Sequence, residues 1–179
     1  MRWITFFVLL YVMYALHLGE LGGWVHAGKH WPRIEYLLIL AIFYALFAAE
    51  GAGPMCGFIC GMLYDMGDGL FVGTTAVPLA LMTLMVVRVR LSIFREHFAS
   101  QVVMTFLAIG VFAVLSVMMR KLVGGPLEGG VAGHLGHVVV NGLYTALVAP
   151  LFYRVFFRFQ GVLGFSSHGP RGRIHEIRR

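Results

Sequence analysis

Residues 53–73 read GPMCGFICGMLYDMGDGLFVG. Gly53, Gly57, Gly61, Gly69 and Gly73 fall on a four-residue spacing, and Asp65 fills the place in that series where a glycine is missing. The residues around them are almost all apolar. Glycines four apart share one face of an α-helix, drifting about 40° per step because a turn takes 3.6 residues. A glycine face lets a neighbouring helix approach closely, which matters most in lipid, where apolar helices have no hydrophobic reason to associate. The G-x-x-x-G spacing is met at Gly53–Gly57 and again at Gly57–Gly61. The expected role is packing among the chain's own helices, with contact to another protein's helix as the alternative.

Asp65 extends that face by one turn, and Asp68 follows in DMGDG, a Gly- and Asp-rich turn signal. An ionised carboxylate at a bilayer centre costs at least about 2.5–3.5 kcal/mol on insertion scales, and much less near an interface. Three roles are open for Asp65. It can close the turn and cap the next helix, whose first N–H groups lack partners. It can form a polar link between helices, or couple to a proton or ion.

The rest of the chain fits a membrane setting. Hydrophobic residues make up 59% of the 179 residues and charged residues 12%. The mean hydropathy is +0.83. A soluble domain carries about 25% charged residues, so this chain reads as an all-α, polytopic membrane protein of one domain. Its formal charge is +6. The bases sit at the ends of apolar runs and in the C-terminal tail, which points to anionic lipid headgroups and away from nucleic acid.

A spanning helix needs about 20 mostly apolar residues. Six transmembrane helices are expected at 2–18, 34–49, 54–64, 70–87, 98–119 and 134–159, together a 1–159 domain, followed by a basic cytoplasmic tail at 160–179. The first is read as an uncleaved helix, because no A-x-A-like site follows its apolar run. The third is short, about 17 Å at 1.5 Å per residue. Positive charge collects in cytoplasmic loops. With both termini inside, ten Lys and Arg lie on the cytoplasmic side and four outside. That split favours an even number of spans.

Few residues suggest reactive chemistry. Asp65 and Asp68 share a turn, but no nucleophile–base set and no phosphate-binding loop accompany them. Cys56 and Cys60 sit in one apolar run and pack as small hydrophobes, with a metal or redox pair as the minor alternative. The pairs His26/His30 and His134/His137 have helical spacing for a metal, yet no Cys or acid supports either at suitable spacing. They read as interfacial polar residues, as do Trp24 and Trp31. Arg154 and Arg158, four apart among Tyr153, Phe156, Phe157 and Phe159, read as an interfacial anchor. A docking surface for a cytoplasmic partner is the alternative.

The pattern Pro54-x-x-Gly57-Phe58-x-x-Gly61-x-x-x-Asp65, followed by Gly69 and Gly73, resembles the MreD family of rod shape-determining membrane proteins. So do the order and size of the helices, the Pro150-containing sixth helix and the basic tail. The resemblance implies a non-enzymatic scaffold of the bacterial inner membrane with no cofactor. Its implied partner is a bitopic MreC-like protein, and through it the MreB filament, the RodA glycan polymerase and a class B penicillin-binding protein. It also implies a fold similar to the substrate-binding subunits of energy-coupling-factor vitamin transporters. Such a transporter subunit is the alternative function. Those subunits dock their energising partner through an A-x-x-x-A pattern on the first helix. Here that helix reads WITFFVLLYVMYALHL, with one alanine.

Overall fold

The computed structural model describes residues 3–21, 34–48, 51–67, 72–89, 98–123 and 130–158. Among these, six helices occur and no strand: α1 (Trp3–Leu21), α2 (Tyr36–Phe47), α3 (Ala52–Gly67), α4 (Ala76–Val89), α5 (Phe98–Val123) and α6 (Gly130–Arg158).

α2 is the centre of the bundle. Its sequence, YLLILAIFYALF, is apolar on every side, and the ten residues Leu37–Leu46 are all buried. A helix hydrophobic all round needs neighbours all round, and α2 touches each of the other five. The helix stops where Ala48 turns extended (φ −79°, ψ 170°), although its N–H still reaches Tyr44 O at 2.9 Å.

Phe6, Leu10, Met13 and His17 recur at helical spacing on α1 and are buried; His17 packs on Tyr64 of α3 at 5.0 Å. An aromatic cluster joins α1, α2 and α6. Phe6 meets Tyr44 edge-on at 5.0 Å, and Phe43 meets Phe156 at 4.9 Å. Such pairs add about 0.5–1.5 kcal/mol beyond the area they bury.

α3 pairs closely with α4, and α5 with α6. At the second junction, a Cβ on Gly142 would lie 3.4 Å from Ile109 Cβ, so α5 and α6 approach closely there. Thr105 and Tyr153 join the same helices by a buried hydroxyl–hydroxyl bond of 3.0 Å.

The exterior is apolar. Ile4, Tyr11, Leu122 and Leu147 are each more than three-fifths exposed. The segments Gln101–Val123 and Gly130–Phe156 are long and apolar enough to cross a membrane, while Trp3–Gly19, Tyr36–Phe47 and Ala76–Val89 are shorter apolar helices. Pro150 sits inside α6. It removes one ladder bond, which membrane helices tolerate when neighbours resatisfy the freed group.

Several helix limits differ from the sequence reading. α3 has 16 residues, about 24 Å at 1.5 Å per residue, and so is less short than the 54–64 assignment made it. It runs past Asp65 because that carboxylate's partners lie on the following segment, leaving the α3 backbone helical. Pro54 is no obstacle at the third position of α3, where the missing N–H would have no intrahelical partner anyway. α4 starts at Ala76, after a turn over 72–75, rather than at 70. α5 continues through Arg120 and Lys121 to Val123. Bases in a last turn complement the negative end of the helix dipole. α6 begins at Gly130, whose φ of +73° suits a residue without a Cβ. Residues 22–33 and 90–97 and the 160–179 tail are among those outside the described residues.

Candidate functional site

The glycine series builds one face of an antiparallel hairpin. Gly53, Gly57 and Gly61 are buried. A Cβ on Gly61 would lie 2.9 Å from Ala76 N and 3.0 Å from Thr75 O. One on Gly57 would lie 2.8 Å from Thr83 Cγ2 and 3.0 Å from Leu79 O. One on Gly53 would lie 2.7 Å from Val87 Cγ2 and 3.1 Å from Ala45 Cα, so α2 also enters the contact. Stepping back along α3 by four residues moves the contact forward along α4. The Thr83 hydroxyl stays satisfied in this tight seam by donating to Leu79 O and Ala80 O, both at 2.9 Å.

Asp65 closes the hairpin. It is fully buried. Its Oδ2 accepts from Gly73 N–H at 2.7 Å and Ala76 N–H at 3.2 Å. Its Oδ1 accepts from Thr75 N–H at 2.8 Å and the Thr74 hydroxyl at 3.1 Å. These backbone donors surround the start of α4, where N–H groups lack intrahelical partners. A carboxylate there also meets the positive end of the helix dipole. Hydrogen bonds to an ionised acceptor are about twice as strong as neutral ones. Asp65 on α3 is therefore the N-terminal cap of α4, supplied by the preceding helix. Gly73 has φ +105°, a backbone conformation that L side chains rarely adopt.

A second polar feature sits beside the capped turn. A cavity of about 180 Å³ opens between the starts of α2, α4 and α6 and the ends of α3 and α5. Its polar lining includes Glu35, Tyr64, Ser116, Arg120, His137 and Asn141. The Tyr64 hydroxyl donates to Glu35 Oε2. Glu35 N–H donates to Thr145 Oγ1 at 3.1 Å, which fixes the start of α2 against α6. The Ser116 hydroxyl donates to Ala113 O at 2.9 Å. Among the described residues, Arg120 Nε is the buried side-chain polar atom without a hydrogen-bond partner.

A family model for the rod shape-determining protein MreD matches residues 1–161 of the 179-residue chain, a span that takes in all six helices. This chain belongs to the MreD family. Membership makes it a membrane protein of rod shape determination. The apolar exterior of α1, α5 and α6 agrees with that setting. No curated protein sequence and no solved structure matches the chain.

In this MreD-family chain the residues singled out from sequence separate into three places. Gly53, Gly57, Gly61, Asp65 and Gly73 meet at the α3–α4 seam and its turn, with Pro54 half-buried in the first turn of α3. Asp68 and Gly69 lie outside the described residues. Arg154 and Arg158 are exposed at the far end of α6, about 20 and about 25 Å beyond the cavity residue Asn141 at 1.5 Å per residue. The aromatics grouped with them are not all boundary residues. Tyr153 and Phe156 are buried against Phe43, the first tilted to its ring and the second edge-on. Positions three apart on α6 face α2, while the arginines project elsewhere.

Cys56 and Cys60 are free thiols buried in the core. No group of three His, Cys, Asp or Glu among the described residues is placed to hold a metal. His137 is exposed at the cavity, whereas His26, His30 and the side chain of His134 lie outside the described residues.

Polar residues inside the apolar helices also carry a sequence signal. Asn141 and Thr145 are four apart on α6, a spacing that marks one polar face. Thr105 and Ser116 on α5 belong to the same class. Arg120 falls just past the 98–119 span expected from sequence, and the structure places it in the last turn of α5.

Proposed function

We propose that this MreD-family chain is a non-enzymatic scaffold of the cell-elongation complex in the bacterial inner membrane. It is a six-span bundle over residues 1–159, with both termini and a basic 160–179 tail in the cytoplasm. It binds an MreC-like bitopic protein and thereby helps organise peptidoglycan synthesis. MreB, RodA and a class B penicillin-binding protein are reached indirectly. Its bundle is similar to that of energy-coupling-factor substrate-binding subunits.

The observation that supports a scaffold is the environment of Asp65. The acid deepest in the α3–α4 hairpin directs both oxygens to the start of α4. Its polar capacity goes into shaping the bundle, which is what a docking platform needs. Arg154 and Arg158 serve as the cytoplasmic-side anchor. Affinity capture from crosslinked membranes tests the proposal. A single-span MreC-like partner is the expected product; its absence, with the bait intact, sinks the scaffold reading.

One observation favours the second reading, a solute-binding transporter subunit, and that is the polar cavity. Its volume of about 180 Å³ falls below the roughly 300–1,000 Å³ of sites that enclose drug-sized ligands. The first helix also presents large side chains outward, Phe7, Val8 and Tyr11 among them, where such subunits present alanines. Native mass spectrometry of the solubilised protein separates the two. A stoichiometric vitamin-sized ligand would favour the transporter.

A further inference from the structure

We propose that the cavity between Glu35 and Arg120 is a binding site for a phosphate group, carried by a lipid head or by a small free anion. The inference rests on neither functional reading above. Arg120 brings a guanidinium to a cavity in a largely apolar bundle, and its Nε is buried without a hydrogen-bond partner. The carboxylate on the same cavity, Glu35, is held by the Tyr64 hydroxyl. A buried charge is stable when it is paired and hydrogen-bonded. The buried Nε–H of Arg120 lacks an acceptor, and an anion in the cavity would supply one together with a counter-charge.

The remaining lining suits phosphate. Asn141 adds a polar amide to the lining, and His137 a ring N–H at the exposed rim. A guanidinium fork matches two phosphate oxygens at once, which an ammonium does not. About 180 Å³ has room for a phosphate group with a few further atoms. Arg120 is in the last turn of α5, the level at which long basic side chains reach headgroup phosphates. A cavity filled by water alone is the competing arrangement.

The test uses the full-length protein in phosphatidylcholine nanodiscs. Inorganic phosphate is titrated against chloride of equal ionic strength, and thermal unfolding is followed. Parallel nanodiscs contain phosphatidylglycerol. A saturable rise in melting temperature with phosphate identifies a free anion as the occupant. A rise with phosphatidylglycerol that added phosphate does not increase identifies the lipid head. In either case Arg120→Gln weakens the effect at least tenfold, and Arg120→Lys, which keeps the charge but not the fork, weakens it less. Should Arg120→Gln not accumulate folded, His137→Ala replaces it, since that exposed ring is not needed for packing; a several-fold loss is expected. The proposal is overturned if neither phosphate nor phosphatidylglycerol moves the wild-type melting temperature beyond chloride. It is equally overturned if the shift survives unchanged in the variants.

Discussion

Replacing Gly61 with alanine adds one methyl group where α3 meets the start of α4. The new Cβ would stand 2.9 Å from Ala76 N and 3.0 Å from Thr75 O. Comfortable contact between non-bonded heavy atoms is about 3.5–4.0 Å. Both obstacles are backbone, so no side chain can rotate away. The helices must part by roughly half an ångström or more, and the donors that move are neighbours of the Asp65 carboxylate. The bond from Ala76 N–H is already 3.2 Å long, so a shift of that size breaks it. Overpacking costs about 1–3 kcal/mol, and a lost bond to a charged acceptor about 1.5–3 kcal/mol. The better helix propensity of alanine returns about 1 kcal/mol. The net expectation is destabilisation by about 1.5–5 kcal/mol. At roughly 2–4 °C per kcal/mol for a chain of this size, that lowers the melting temperature by about 3–20 °C. The assay is thermal unfolding in detergent, with Gly110→Ala as control. A Cβ on Gly110 meets nothing within 4 Å, so that variant should match or exceed wild type. Equal melting of the two alanine variants would refute the close-approach argument.

Further outcomes follow from the same hairpin. Asp65→Ala leaves the backbone donors at the start of α4 without their acceptor and should destabilise by about 1.5–3 kcal/mol, the scale of lost hydrogen bonds to a charged group; near-wild-type melting would contradict its capping role. Asp65→Asn in reconstituted vesicles should leave ion permeability at the wild-type level, because the carboxylate serves the cap; a flux present in wild type and lost in the variant would make Asp65 a coupling residue. Gly73→Ala should cost about 1–3 kcal/mol, since alanine is strained at φ +105°, and unfolding measurements check it. Gly57→Leu should fail to support rod growth in a complementation assay. Normal accumulation of that variant together with normal rods would show that the seam tolerates bulk.

Local patterns are readable from sequence, and distant ones are not. Apolar runs give the helices because each is a property of consecutive residues. The four-residue glycine spacing likewise points to a close approach, but it cannot say that the approaching surfaces are Thr83, Leu79 and Ala45. Helix ends are harder. DMGDG is a turn signal, yet α3 holds to Gly67 because the partners of Asp65 are eight to eleven residues further on. The cavity is the least legible part. Its polar residues come from separate helices, and one of its framing bonds, from Glu35 to Thr145, spans 110 positions. Tyr153 shows the same difficulty on a smaller scale. Beside arginines in sequence it looks interfacial, while in the bundle it is buried against Phe43 and bonded to Thr105.

The Asp65 cap has a consequence for how the chain enters the membrane. All its partners lie within eleven residues. The carboxylate can therefore be hydrogen-bonded by its own hairpin while ribosomes are still making α5 and α6. In the orientation proposed above, the α3–α4 turn must be translocated across the lipid. A clasp that closes during synthesis lets the acid travel with its donors already in place, so it is never a bare charge in the hydrocarbon layer. The hairpin then behaves as a finished insertion unit, and the later helices dock onto it.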